Sequence, residues 1–219
     1  SVVTWGRNTG GGDSSSVSDQ LISGVSQIIS TGSAFAALKT DGSVVTWGRS
    51  TGGGDKSDVS EQLLSDVNQI FSTSSAFAAL KTNGSVVTWG SQGNGGDSSS
   101  VSTKLTSDVK KIFSNTSAFA ALKTDGSVVS WGNQSNGDDS SSASNQLAAG
   151  VSKIFSTSSA FAALKTDGSI VTWGSKGNGG DNESVSGQIG SDVVSLSDPF
   201  HQDQLIYSES QTTQVGITI

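Results

Sequence analysis

The sequence has no cysteine and no methionine, one histidine and one proline. Without cysteine there is no disulfide, no thiolate metal site and no cysteine nucleophile. A lone histidine, His201, cannot build a metal centre of two or three histidines. No Gly-x-Ser-x-Gly segment frames a serine as a nucleophile. His201 sits in SDPFHQDQL beside Pro199 and reads as a loop residue at a turn. Charge is also scarce, at 14% of residues, and it is unbalanced: 19 acids against 12 Lys and Arg, a net −7. The few cations are spread thinly, so the basic patch that a phosphate backbone requires is missing and nucleic acid is not an expected partner. No run approaches the roughly 20 apolar residues of a membrane-spanning helix. The expectation is a non-enzyme with no cofactor and no metal. Because Ser1 is not an initiator methionine, the sequence is read as a processed product or a piece of a longer chain.

What is present is a repeat. Hydrophobic residues make up only 32%, below the usual level of about 45–50%, but they recur at a fixed period. Trp5, Trp47, Trp89, Trp131 and Trp173 are each 42 residues apart. In the same phase stand Asp13, Asp55, Asp97, Asp139 and Asp181, then Val17, Val59, Val101, Ala143 and Val185, then Leu21, Leu63, Leu105, Leu147 and Ile189. Five uninterrupted copies of one unit dominate every other signal.

Each unit reads as three strands and an outer element. In residues 67–105, VNQIFST is a short β-prone run and SAFAALKT a second, with small residues that allow close backbone approach. Asn83-Gly84, replaced by Asp-Gly at 41–42, 125–126 and 167–168, forms a tight hairpin turn because both positions tolerate positive φ. SVVTWG is the returning strand, followed by a Gly-rich loop, SQGNGGDSSS. VSTKL closes the unit as a fourth strand or a short helical turn. Val101, Leu105 and Val109 stand at i, i+4 and i+8, which leaves both readings open.

A strand with valine on both faces needs cover on both sides. Stacking copies of the sheet supplies it, radially in a propeller or linearly in a solenoid. A hairpin turn in every unit favours the propeller. The expected fold is therefore all-β: a β-propeller of five blades of about 42 residues in a single domain, 1–219. The copies fall at about 1–24, 25–66, 67–108, 109–150 and 151–192, with a degenerate closing segment at 193–219. All five tryptophans are expected in equivalent buried or half-buried places. Ser1–Gly6 is expected to close the ring by pairing with a strand of 193–219, the one containing Leu205 and Ile206. The alternative is an arbitrary cut in a longer array.

SAFAALKTDGSVVTWG resembles the repeat of the regulator of chromosome condensation (RCC1) family, which pairs an alanine/leucine strand with Asp-Gly-x-Val-x-x-Trp-Gly. Here that pattern is carried by Asp41, Gly42, Val44, Trp47, Gly48 and their copies, up to about Asp192. The resemblance implies a β-propeller. The copies depart from the family at Ala34, Ala76, Ala118 and Ala160, where it commonly has histidine. They depart again after Trp-Gly, where GGGD, NGGD or NGDD replaces Gly-Gln-Leu-Gly. The exchange-factor and chromatin-docking activities of the best-known member do not carry over, since its own loops are absent and this surface is acidic.

The strand order puts the Gly-rich loops on one face with the STGS and STSS turns, and the Asp-Gly turns on the other with the links between blades. The Gly-loop face combines glycine amides with polar side chains at every blade. Its candidate ligand-binding residues are Arg7, Asp13, Arg49, Asp55, Asn94, Asp97, Asp139, Asn178 and Asp181. Each Asp has a plain structural reading as well, as a cap on the following Ser-rich turn. With one or two carboxylates per loop, the six to eight oxygens of a calcium site are not assembled. Lys39, Lys81, Lys123 and Lys165, beside the hairpin turns, are expected in solvent, pairing weakly with Asp66, Asp108 or Asp192. Phe35, Phe77, Phe119 and Phe161 are expected in blade packing. The function expected is a binding module of a secreted or cell-surface protein, recognising a glycan or protein on a surface. The alternative is a structural spacer or assembly unit of a larger extracellular protein or virion.

Overall fold

The computed structural model describes residues 1–137, 140 and 143–181. Within them are twelve strands in four sheets of three. The first sheet contains β1 (Val25–Ser30), β2 (Ala34–Lys39) and β3 (Val44–Gly48). The second contains β4 (Val67–Ser72), β5 (Ala76–Lys81) and β6 (Val86–Gly90). The third contains β7 (Val109–Ser114), β8 (Ala118–Lys123) and β9 (Val128–Gly132). The fourth contains β10 (Val151–Ser156), β11 (Ala160–Lys165) and β12 (Ile170–Gly174). All pairs are antiparallel in the same register, such as Phe77 opposite Trp89 and Leu80 opposite Val86. Each first strand carries a bulge near its start, as between Val67 and Gln69.

The sheets are the blades of an all-β propeller. Neighbouring sheets come together at their first strands, β1 against β4, β4 against β7 and β7 against β10. The turns after those strands are joined in series: Gly32 N–H donates to Ser74 O, Ser74 N–H to Thr116 O and Thr116 N–H to Ser158 O, at 2.8–3.2 Å. Ser72 Oγ donates to Ser30 O and Ser156 Oγ to Ser114 O. The inner edges are thus fastened together, and the space between outer edges is filled by the element after each Gly-rich loop. That element is a set of 3-10 turns, at Ser15–Leu21, Ser57–Val59, Glu61–Leu63 and Ser99–Lys104. Of the two readings left open by the sequence, the structure has the helical turn.

Side-chain alternation explains the stacking. Ala34, Ala36 and Leu38 face forward and pack on Leu63, Val67, Ile70, Phe77, Ala79 and Trp89 of the next unit. The same interface recurs between the second and third sheets and between the third and fourth. On the opposite side of its blade, each tryptophan stacks on the phenylalanine across the hairpin, with ring centroids 5.2–5.3 Å apart. Its indole N–H donates to a glycine carbonyl of the preceding Gly-rich loop: Trp47 to Gly11, Trp89 to Gly53, Trp131 to Gly95 and Trp173 to Gly137. The phenylalanines therefore belong to blade packing, as expected.

Trp5 corrects the expectation of five equivalent buried or half-buried tryptophans. It is 84% exposed, while the other four lie between 0 and 4%. A tryptophan here is buried by a phenylalanine twelve residues earlier and a glycine carbonyl thirty-six earlier, and Trp5 has neither among the described residues. Residues 1–6 form no sheet. The segment 193–219, expected to pair with them, lies outside the described residues.

The lysines also differ from expectation. Lys39, Lys81 and Lys123 donate through Nζ to the main-chain carbonyls of Gln20, Gln62 and Lys104, at 2.8–3.1 Å. They are half-buried and staple strand two to the end of the 3-10 element, where carbonyls are left open. Asp66 and Asp108 instead accept from the hydroxyls of Ser65 and Ser107.

Candidate binding face

The Gly-rich loop is built the same way in each copy, and the second copy shows how. After Trp47-Gly48 the chain passes through extended Arg49 into a single 3-10 turn, Ser50–Gly52, and leaves through Gly53 in the left-handed region, φ 97°. The amides of Gly52 and Gly54 donate to Arg49 O and that of Gly53 to Ser50 O, at 2.9–3.0 Å. The carbonyls are engaged too. Gly52 O accepts from Thr31 Oγ1, Gly53 O from Trp89 Nε1 and Gly54 O from Thr46 Oγ1. The first and third loops repeat the amide pattern at Gly10 and Gly12, and at Gly95 and Gly96. The glycines are therefore not an array of amides offered to a ligand. They are there because a Cβ on Gly53 would lie 2.5 Å from the ring of Phe77, and because the loop closes on itself and on the next tryptophan.

The side chains sort differently. Asp13, Asp55 and Asp97 each accept, through Oδ1, the amide two residues on, from Ser15, Ser57 and Ser99, at 2.8–2.9 Å. These are the turn caps foreseen for them. Hydrogen bonding from Ser15, first by its side chain and then by its backbone, holds the Asp13 carboxyl below the ordinary range. For Asp55 and Asp97 the backbone bond from Ser57 or Ser99 is the larger cause, with the serine side chain second. All three are exposed. Asp181 is exposed, with Oδ2 3.7 Å from Lys176 Nζ, and Asp139 lies outside the described residues. Arg7 and Arg49 are exposed. Asn94 and Asn178 donate from their side-chain amides to Ser91 Oγ and Ser175 Oγ, while their main-chain carbonyls accept from Thr73 and Thr157.

Those threonines were missed in the sequence. Thr31, Thr73 and Thr157 stand in the turn after each first strand and fasten the Gly-rich loop of their own blade, 21 residues on. Asn115 takes the place in the third copy, donating to Asn136 O. Recurrence of Thr at that position in an otherwise Ser-rich turn is the available signal. The predicted residues that are described fall in the Gly-rich loops and their flanks. None of them borders the open groove of about 710 Å³ on the outer side of the third and fourth units, which Val101, Lys104, Lys123, Ser130, Gln134 and Leu147 line. Among the described residues no cluster of three or more His, Cys, Asp or Glu is placed to hold a metal, and no helix is long and apolar enough to cross a membrane.

The caps give a pH prediction with a defined sign. A carboxyl whose folded-state pKa is depressed stabilises the fold above its unfolded pKa, and that contribution is lost as pH falls through the folded value. Carboxyl resonances of Asp13, Asp55 and Asp97 should titrate below the ordinary aspartate value in an NMR titration. Midpoints at or above that ordinary value would remove the caps from the account. Asp97→Asn should keep the turn, since Asn83 makes the equivalent bond to Ser85 where other copies have Asp. Asp97→Ala should cost about 0.5–1 kcal/mol, the low end for a lost cap.

No protein-family model matches the chain, and no curated protein does. Solved structures do. Yeast RCC1 (Prp20), in its complex with Kap60, is 21% identical at a TM-score of 0.45, over 68% of this chain and 42% of that one. Human WBSCR16 is 18% identical at 0.46, over 68% and 47%. The ectodomain of the Arabidopsis thaliana receptor kinase ACR4 is 16% identical at 0.44, over 68% and 52%. The chain thus spans about half the length of the structures it matches. The similarity is one of fold, to RCC1-like β-propeller repeats.

Proposed function

We propose that this protein is a non-catalytic binding module that recognises a polar ligand, a glycan or a protein surface, through its Gly-rich-loop face. One observation carries the reading. The loop frame is internally hydrogen-bonded and recurs from copy to copy, yet the position that opens its 3-10 turn is exposed in every copy and takes four identities in five copies: Asn8, Ser50, Gln92, Gln134 and Lys176. A rigid scaffold that displays variable exposed side chains is how binding loops are arranged. The preceding position varies as well, through Arg7, Arg49, Ser91, Asn133 and Ser175. Arg7, Arg49, Asn94, Asn178 and the aspartates at 13, 55, 97, 139 and 181 are the proposed contacts. One weak site per blade gains overall affinity for a multivalent ligand by about 10²–10⁴. The setting that goes with this reading is extracellular or at the cell surface, where glycans are displayed.

Glycan-array and calorimetric binding test it, on the wild type and on Asp55→Asn with Asp97→Asn. Those substitutions keep the caps and remove two charges. Binding that weakens in the double variant supports the face. Binding that is unchanged and maps to the Asp-Gly-turn side would overturn it.

A further inference from the structure

The four Asn-Gly dipeptides, at 83–84, 94–95, 136–137 and 178–179, stand in two different settings. Asn94, Asn136 and Asn178 end 3-10 turns, and their main-chain carbonyls are held by Thr73, Asn115 and Thr157. The carboxamides of Asn94 and Asn178 also donate, to Ser91 Oγ and Ser175 Oγ. Asn83 is exposed in the hairpin turn of the second sheet. Its Oδ1 accepts two hydrogen bonds from Ser85, from the main-chain N–H at 3.0 Å and from Oγ at 2.7 Å. Among the described residues no clamp of the Thr73 kind holds its main-chain carbonyl.

We infer that Asn83 is a self-modifying residue, whose carboxamide is lost as ammonia after attack by the main-chain nitrogen of Gly84. That nitrogen gives its proton to solvent, leaves Lys81 O, to which it donates at 2.9 Å, and bonds to Asn83 Cγ. The carboxamide nitrogen takes a proton from solvent and departs as ammonia, which closes a succinimide ring. Water then opens the ring. Addition at Cγ restores the main chain and leaves aspartate. Addition at the main-chain carbonyl carbon leaves isoaspartate, with the chain running through Cβ and Cγ. Nothing is oxidised or reduced, and water is the only co-reactant.

The two Ser85 donors favour the first step. Negative charge develops on Oδ1 as Cγ becomes tetrahedral, and donors already aimed at that oxygen stabilise it. The other copies show the same frame favouring negative charge. Asp41, Asp125 and Asp167 receive both bonds, from Ser43, Ser127 and Ser169. Those bonds, the side-chain one first, hold their carboxyls below the ordinary range. Ring closure also turns the asparagine's main-chain carbonyl, since its carbon joins the ring, and the clamps at 94, 136 and 178 resist that turn. The products differ in consequence. Aspartate at 83 is what those three copies carry in the same bonds. Isoaspartate adds a carbon to the main chain just before Gly84, whose carbonyl accepts from Val109 N–H at 3.0 Å and where a Cβ would lie 2.7 Å from Asp108 N. The turn is seated on the link to the third sheet, and the added carbon displaces it. The inference is independent of what the Gly-rich-loop face binds.

The folded full chain, held in mildly alkaline buffer and mapped peptide by peptide by mass spectrometry, tests it. Asn83 should convert first, at least about tenfold faster than Asn94, Asn136 or Asn178, a barrier gap of about 1.4 kcal/mol. Ser85→Ala removes one donor and should slow conversion at 83 by about three- to tenfold, with the other three rates unchanged. In concentrated urea the four rates should converge, because the fold no longer separates them. Asn83→Asp should keep the urea midpoint of the unaltered chain, while the isoaspartate form, separated by chromatography, should unfold at lower urea. Conversion of any other Asn-Gly as fast as Asn83 in the folded chain, the same ranking in urea, or an unchanged rate at 83 in Ser85→Ala would overturn the inference.

Discussion

Trp89→Ala should lower the free energy of unfolding by about 3–5 kcal/mol, the range for removing a buried large aromatic side chain, while Trp5→Ala should change it by less than about 0.5 kcal/mol. The two tryptophans lie in identical hexapeptides, SVVTWG at 1–6 and 85–90, so local sequence does not separate them. Their surroundings do. Trp89 is covered by Phe77 beneath it, by Gly53 O on its indole N–H and by Ala34 and Ala36 of the preceding blade. Its loss leaves a cavity between two sheets and a buried carbonyl without a donor, and both terms add. Among the described residues Trp5 has none of these contacts, and at 84% exposure it loses mainly exposed surface. Urea unfolding followed by far-ultraviolet circular dichroism measures both variants. Because a stack of repeats can unfold in parts, the comparison should be made on the whole transition. Equal effects in the two variants would mean that the blade-to-blade environment does not decide the tryptophan's contribution.

The contrast shows what was legible in the sequence. The strands were, because period, turn and composition agreed locally. Asn83-Gly84 marked the hairpin, and Val67–Ser72, Ala76–Lys81 and Val86–Gly90 fall where the runs VNQIFST, SAFAALKT and SVVTWG placed them. The stacking order was legible too, from valines on both faces. The exposure of Trp5 was not, since identical local sequence does not fix what packs against a residue. Lys81 was read by charge as a solvent-exposed side chain pairing weakly with Asp66, Asp108 or Asp192. The structure gives it the carbonyl of Gln62, nineteen residues earlier, a contact set by the fold of the outer element, which the i, i+4, i+8 pattern left open between strand and turn.

The candidate site was legible only in part, for a physical reason. An aspartate at a fixed place in a Gly-rich loop has the same appearance whether it caps a turn or meets a ligand, and Asp55 visibly does the first. The glycines misled more strongly. Gly53 looked like an exposed amide, yet its carbonyl serves Trp89, thirty-six residues on and one blade away. Long-range partners of that kind leave no mark in a window of a dozen residues. What the sequence did show correctly is the separation of faces, because the direction of three antiparallel strands follows from two hairpins.

Gly53→Ala should destabilise the protein by about 2–5 kcal/mol, and Gly93→Ala in the next loop should be neutral or stabilise by up to about 1 kcal/mol. At Gly53 two costs combine. A residue with a Cβ in the left-handed region pays about 1–2 kcal/mol, and that Cβ would lie 2.5 Å and 2.7 Å from two ring carbons of Phe77. Phe77 is fully buried between sheets and stacked on Trp89, so the ring has no free direction in which to yield. Forcing a methyl into such packing costs a further 1–3 kcal/mol or so. Gly93 carries no comparable constraint. It lies inside the 3-10 turn Gln92–Asn94 without a positive φ, and nothing stands within 4 Å of a Cβ built there. Alanine then acts chiefly by narrowing the unfolded ensemble. The measurement is the shift in urea midpoint at unchanged slope. If Gly53→Ala proved as mild as Gly93→Ala, the loop would not be wedged against the following blade, and its glycines would again need a reason outside packing.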